Sequence, residues 1–277
     1  MNTEYAKIES LFERYLDIPK SDPLYHKFKE PLVFKNPLYE AIALWEWTEK
    51  IDGMNIRVLW NPSQEPSPDF PVPEPPLLAF RGRTDAAKLD GYKPLLKYLN
   101  DKFTPEIMNT AFSGPVVLYG EGYGTGIQKV GNHYFEGEKD RQEFILFDVF
   151  VPDITNPFGG WWLNRKACWD IGARLNVGVV PSLGIMPITD AVKYVRQGFP
   201  SLLTTATIPS EGLVGRTVEA LFDKRGHRLI TKLKTKDFVD VPLKVEGQWA
   251  SDVLTKNPIQ EKRMQTYVFG QGTGDNT

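Results

Sequence analysis

The chain has 277 residues, 41% hydrophobic and 25% charged, with a formal net charge of −2, an ordinary composition for one large globular domain with or without a small appendage. No apolar run is long enough to span a bilayer, the N-terminus lacks the basic-then-apolar pattern of a signal peptide, and the single cysteine, Cys168, excludes an internal disulfide. The expectation is a reducing, cytoplasmic compartment, with no membrane partner and no whole-molecule electrostatic pull toward nucleic acid.

In chain order, residues 4–16 read as an amphipathic helix, because Ile8, Leu11, Phe12, Tyr15 and Leu16 recur at helical spacing. A turn-rich stretch runs to about residue 39. Residues 41–49 predict a buried strand and 54–60 the next strand, in hairpin relation to it. Residues 61–76 hold seven prolines and predict a loop. Strands are expected at 77–83, 116–119, 144–151, 212–218 and 227–233, and helices at 92–100, 164–175 and 190–198. The tail from residue 270 is Gly-rich and polar and predicts disorder. Strands outnumber helices and several follow one another without a helical crossover, which favours a mixed sheet with antiparallel pairs over a doubly wound parallel sheet. About forty residues follow Lys236, too few for an independent β-barrel. The expected organisation is a lead-in over 1–40, a principal domain over 41–240 and a C-terminal extension over 241–277.

Five stretches carry charged side chains at strand ends. The first is Glu49-Lys50-Ile51-Asp52-Gly53-Met54-Asn55, where a lysine just past a strand meets Asp-Gly and the glycine permits a tight turn. On its own, Lys-x-Asp-Gly is usually a plain turn. The second stretch is Arg81-Gly82-Arg83-Thr84. The third is Tyr119-Gly120-Glu121-Gly122, an acid between glycines, which suits close ligand approach. The fourth is Phe144 to Val149, with Phe147-Asp148. The fifth joins Glu211-Gly212 to Lys232-Leu233-Lys234.

These residue types fit attack by an amine on a nucleotide α-phosphorus. Lysine must lose its proton from a pKa near ~10.4, which neighbouring cations such as Lys232 and Lys234 would help by depressing it. Arg83 and the lysines suit phosphoryl charge. Asp52, Glu121 and Glu211 could face magnesium. Phe147 offers a stacking face, with Phe144 on the opposite side. Asn55 and Glu49 could hold a ribose or base edge.

In order and content the set resembles the covalent nucleotidyltransferases, the polynucleotide ligases and mRNA capping enzymes. Asn55 stands where DNA ligases and capping enzymes usually carry arginine, and Lys-x-x-Gly-x-Asn resembles ATP-dependent RNA ligases of the RNA ligase 2 type, which include phage end-repair and trypanosome editing ligases. Arg83-Thr84 and Lys232-Leu233-Lys234-Thr235, with Asp237-Phe238, resemble further elements of that group. The resemblance implies an α+β adenylyltransferase domain, with mainly antiparallel sheets around a nucleotide cleft and no OB-fold. It also implies ATP with Mg2+ or Mn2+, AMP carried on Lys50, and monomeric action on nucleic acid with 5′-phosphate and 3′-hydroxyl ends, RNA favoured. Lys50, Lys232 and Lys234 would be catalytic. Glu49, Ile51, Asn55, Arg83, Glu121, Phe147, Glu211 and the two strand lysines would bind the nucleotide, and Asp52, Glu121 and Glu211 the metal. The alternatives are a compact DNA ligase, a GTP-using capping enzyme disfavoured by the missing OB-fold, and a non-catalytic end-binding protein.

Elsewhere the readings are structural. Arg81 and Arg216 read as surface residues, Cys168 as a core thiol, and His26, His133 and His227 lack ligand spacing. Lys224, Arg225, Arg228, Lys232, Lys234 and Lys236 form the best candidate for a basic patch, with the last three on one strand face. Trp161-Trp162 offers a base-stacking platform, although packing is the commoner role for such a pair.

Overall fold

The computed structural model describes residues 3–62, 77–128, 134–135, 138–204 and 207–239. The expected 61–76 loop falls almost wholly outside these, as do the C-terminal extension, the Gly-rich tail and His133.

Two sheets form the molecule. The first orders its strands β1-β11-β10-β2-β9, and the second β4-β3-β5-β6-β7, with β8 beside β6. In the first sheet β1 is Glu9–Ser10, β2 Trp45–Glu49, β9 Ser182–Met186, β10 Gly212–Thr217 and β11 Ile230–Lys234. In the second β3 is Met54–Asn61, β4 Leu77–Gly82, β5 Val116–Gly124, β6 Gln142–Pro152, β7 Gly160–Trp162 and β8 Gly178–Val179. All pairings are antiparallel except β1 with β11 and β6 with β8. The helices are α1 Lys93–Lys102, α2 Pro105–Ala111, α3 Arg165–Leu175 and α4 Ile188–Gln197. The α+β expectation with mainly antiparallel sheets holds.

Each sheet has its own core. Trp45 and Trp47 of β2, Leu213 of β10 and Leu233 of β11 alternate onto one face, where they pack with Ala191 and Val195 of α4. In the second sheet Ile56, Val58, Leu118, Phe144 and Leu146 face Leu95, Leu99, Met108, Cys168 and Leu175 of the first three helices. Cys168 is fully buried there, as expected of a core thiol. Asn164 caps α3, accepting a hydrogen bond from Ala167 N.

Two expectations fail. Residues 4–16 are not helical. They run extended, and β1 pairs with Thr231 and Lys232. Tyr5 is buried against the second sheet, with Tyr119 and Phe150, while Leu11 and Phe12 sink into the core of the first. One segment thus serves two cores on opposite sides of a strand pairing, and those tertiary contacts override the helical spacing. Nor do β2 and β3 form a hairpin. The flanks of β2 are taken by β10 and β9, and those of β3 by β4 and β5. The four residues from Lys50 to Gly53 cross from one sheet to the other.

Candidate active site at the junction of the two sheets

This crossing puts Lys50 where the sheets meet. Its backbone N–H donates to Gly212 O at 2.9 Å, pinning the end of β2 to β10. Gly53 is required by proximity: a Cβ there would collide with Gly122 O and lie 2.7 Å from Glu121 Cγ. Gly212 has φ +146°, and a Cβ would strike Leu233 O. These glycines bring Lys50, Glu121 and Glu211 together.

A cavity of about 410 Å³ opens between the sheets. Glu49, Lys50, Ile51, Asn55, Arg83, Glu121, Phe147 and Lys232, all singled out from the sequence, line it. Phe147 is half-buried at the wall while Phe144 lies on the other face in the core. Asp52, Glu211 and Lys234 stand beside the cavity rather than in its wall. Glu211 is ion-paired to Lys50 through Oε2 and to Lys234 through Oε1. Lys232 and Lys234 share the face opposite Thr231 and Leu233, but Lys236 leaves that row in a 3-10 turn over Thr235–Asp237.

The charges sit in tension. Burial works to lower the Lys50 pKa, but the Glu211, Glu121 and Asp52 carboxylates outweigh it and raise it. The expected depression by neighbouring cations is therefore not what prevails at Lys50, because Glu211 stands between Lys50 and Lys234. Lys232 is the lysine that is lowered: burial, then the Lys234 and Lys50 charges, bring it down to about 8. Burial, reinforced by Glu211 and Asp52, pushes Glu121 up to about 8. Burial and Glu211 also raise Asp52. Glu49 is pushed up to about 7 by burial, although Oε2 accepts from Leu202 N at 2.7 Å. Glu49 Oε1 and Asn55 Oδ1 are buried without a hydrogen-bond partner. Such orphaned acceptors at a cavity wall fit a ligand that donates to them.

Three acids crowded near one ammonium, two with raised pKa values, fit a divalent cation brought in with phosphates. Among the described residues, no three or more His, Cys, Asp or Glu side chains are arranged to hold a metal alone.

Several wall residues escaped the sequence reading. Arg216 is buried, not on the surface, and reaches Glu46 at 2.8 Å and Asp148 at 3.2 Å. Arg228 also pairs with Asp148, with Nη1 to Oδ1 at 3.1 Å, so it belongs to a buried network rather than a basic patch. Tyr5 donates to the same carboxylate at 2.7 Å. Val214, Arg216 and the N-terminal run from Tyr5 to Ile8 complete much of the wall. Positions 214 and 216 follow Gly212 at strand spacing, a period that could have placed both on the cavity face. The ring of Tyr5 was hidden by the mistaken helix. Arg81 is exposed as expected. Asp237 pairs with Arg14, and Phe238 packs on Phe28 in the core.

The RNA ligase family model matches residues 43–234. No curated protein matches the chain. Among solved structures, a mutant Naegleria gruberi RNA ligase with ATP and Mn aligns at TM-score 0.50 and 22% identity, over 73% of this chain and 54% of that one. Another mutant of that ligase, with AMP and Mn, aligns at TM-score 0.50 and 21% identity, over 82% and 59%. The chain thus spans between half and three fifths of these structures, and the likeness is one of fold. With a family match over more than half its length, centred on the stretch that builds the cavity, this chain belongs to the RNA ligase family.

Proposed function

We propose that the chain is an ATP-dependent RNA ligase that joins a 5′-phosphate to a 3′-hydroxyl. The observation that carries this reading is Lys50, set by the sheet crossing at a cavity with a half-buried aromatic ring, two orphaned acceptors and a basic strand. The orphaned acceptors of Glu49 and Asn55 suit the donors of adenine and ribose, and Phe147 would stack on the base. The Ile51 backbone would share this role with Glu49, and Arg83, also in the wall, would meet ribose or the incoming phosphate.

Lys50 begins as an ammonium held by Glu211. Once one proton has passed to water, Nζ attacks the α-phosphorus of ATP; an N–P bond forms, the nitrogen gives a second proton to water, the α–β phosphoanhydride breaks and pyrophosphate departs. An oxygen of the 5′-phosphate then attacks the same phosphorus, the N–P bond breaks, AMP transfers to that oxygen and the Lys50 nitrogen takes a proton back from water. Finally the 3′-hydroxyl attacks the 5′-phosphorus, losing its proton, and AMP leaves. Lys232, with its lowered pKa, and Lys234 meet the charge on the equatorial oxygens. A bound Mg2+ or Mn2+, faced by Asp52, Glu121 and Glu211, would neutralise phosphate charge and oppose the carboxylate pull on the Lys50 proton.

The test is incubation with ATP or GTP and magnesium, read by intact mass. The expected product is an AMP adduct that Lys50→Ala abolishes. No adduct from folded protein free of prior modification would sink the reading. A compact DNA ligase is the rival. Nicked duplexes differing only in the sugar bearing the 3′-hydroxyl separate the two, with faster sealing expected for ribose. Monomeric action in the cytoplasm belongs to the same proposal. No helix among the described residues is long and apolar enough to cross a membrane.

A further inference from the structure

The second sheet buries a guanidinium that the proposed chemistry leaves idle. Arg57 lies two residues beyond Asn55 on β3, so the two share a face of the sheet. It is fully buried. Its carboxylate partner among the described residues is Asp85, whose side chain is 74% exposed. A buried cation paired in this way adds little stability beyond what an apolar side chain of similar volume would give. Packing alone does not account for Arg57.

Its hydrogen bonds end on one loop and on the N-terminal run. The ladder between β3 and β4 stops with Ile56 opposite Gly82, so residues 83–85 lie beyond it. Arg57 Nε donates to Gly82 O at 2.7 Å, just before Arg83, and Nη2 donates to Asp85 Oδ1 at 2.6 Å, just after Thr84. Nη1 donates to Thr3 Oγ1 at 2.9 Å. The two segments are also tied to each other, since Asp85 N donates to Glu4 Oε1 at 2.9 Å. Tyr119 Oη donates to Thr3 O at 3.0 Å, and Ala87 N closes a turn on Thr84 O at 3.1 Å. A planar fork with donors in three directions suits this work, and a lysine ammonium could not reach all three acceptors.

The loop so held carries a residue of the cavity. Arg83 is exposed, lines the cavity, and forms no hydrogen bond or ion pair among the described residues. No partner of its own side chain sets its direction, so its backbone must. The N-terminal run continues from Thr3 and Glu4 into Tyr5 and Ala6, which are also in the wall.

We infer that Arg57 is a positioning residue for Arg83: it grips the loop on both sides of that residue and holds the free guanidinium toward the cavity. This deepens the proposed ligase function and rests on it, because Arg83 there meets ribose or the incoming phosphate. Misplacing such a group by about 1 Å is enough to slow a step on the order of a hundredfold. Arg57 touches none of the reacting atoms and acts only through Arg83.

The test is a double-mutant cycle in the full chain. Two single-turnover steps are followed by mass: AMP-adduct formation from ATP and magnesium, then transfer to an RNA oligonucleotide bearing a 5′-phosphate. Arg83→Ala is expected to slow at least one of them about a hundredfold. Arg57→Lys should slow that same step about tenfold and Asp85→Ala about threefold, each with the reacting fraction of protein unchanged. In an Arg83→Ala background both should leave the rate within about 1.5-fold, because nothing remains to be aimed. Amide exchange across residues 83–87, read without ATP, should quicken in both variants. If Arg57→Lys fails to fold, Asp85→Ala, at an exposed side chain, decides alone. A lowered reacting fraction at the wild-type rate would make Arg57 a tie of the fold only and overturn the proposal. Rate losses that persist undiminished beside Arg83→Ala, rates or exchange unchanged in the folded variants, or an Arg83→Ala that slows neither step also overturn it, while leaving the ligase standing. Absence of any adduct in the wild type overturns the ligase reading and this role with it.

Discussion

Lys50 and Glu211 are ion-paired across the seam between β2 and β10, and that carboxylate is the strongest of the charges that raise the pKa of the amine. Burial acts in the opposite direction, so removing the charge while keeping the shape should lower the Lys50 pKa. Glu211→Gln is expected to move the onset of Lys50 modification by a small amine reagent to lower pH. Peptide mass mapping across a pH series measures it. An onset that stays put would mean that Glu211 does not set the protonation of this lysine.

Glu121 should cost the fold stability at alkaline pH. Its folded pKa is pushed up to about 8, mainly by burial, against an unfolded value near ~4.3. Below the unfolded value both states hold the proton and nothing is lost. As pH rises through the window the unfolded chain ionises first, so stability falls, and it stays reduced above about 8. Glu121→Gln is therefore expected to raise Tm at pH 9, by a free energy on the order of 1 kcal/mol or more, and to have little effect at pH 4. Thermal melts at both pH values decide it; an equal gain at each would contradict the assignment. The same variant should form the AMP adduct poorly, because a carboxylate beside Lys50 is lost.

Asp148 behaves in the opposite way. Burial raises its pKa, but Arg228 and Arg216 outweigh burial and hold it below the usual carboxylate range. Its contribution is present above the unfolded pKa and is lost as pH falls through the lowered folded value. Asp148→Asn leaves two buried guanidiniums without their shared counter-charge, at a cost of about 3–5 kcal/mol. Denaturant unfolding at pH 7 measures the loss, and the gap to wild type should narrow only in strong acid. A variant as stable as wild type at pH 7 would show that the network is not a structural tie.

Gly53→Ala should be felt twice, because the added methyl meets the β5 backbone and Glu121. Overpacking of this kind costs about 1–3 kcal/mol. The displacement also tilts the crossing that aims Lys50, so adduct formation should fall more than stability does. Single-turnover adenylylation beside denaturant midpoints separates the two effects. Wild-type behaviour in both would remove proximity as the reason for this glycine.

Much of the architecture was legible because local patterns and tertiary fate agreed. Gly212 to Thr217 alternates core and cavity residues, and α3 announces itself with Asn164 at its cap. The cavity residues were legible because glycines and charges at strand ends are hard to explain otherwise. The failures share a cause. The residues from Tyr5 to Phe12 divide their apolar side chains between two cores, a division that mimics helical spacing. The link from Lys50 to Gly53 has hairpin length, and only the occupied flanks of β2 and β3 reveal that it changes sheets. Arg216 and Arg228 read as surface because their shared partner, Asp148, is distant in sequence. The protonation of Lys50 depends on three carboxylates whose convergence no linear spacing encodes.

The parallel pairing of β1 with β11 joins residues 9 and 10 to residues 231 and 232. During synthesis the amine at position 50 emerges long before the acid at 211 and the lysines at 232 and 234 that surround it. A chain halted before residue 230 would therefore lack Ile230 and Lys232 of the cavity wall, Lys234 beside it and the edge that anchors its own beginning. Chemical competence should arrive late and all at once, so that interrupted translation yields an inert fragment rather than a half-active one.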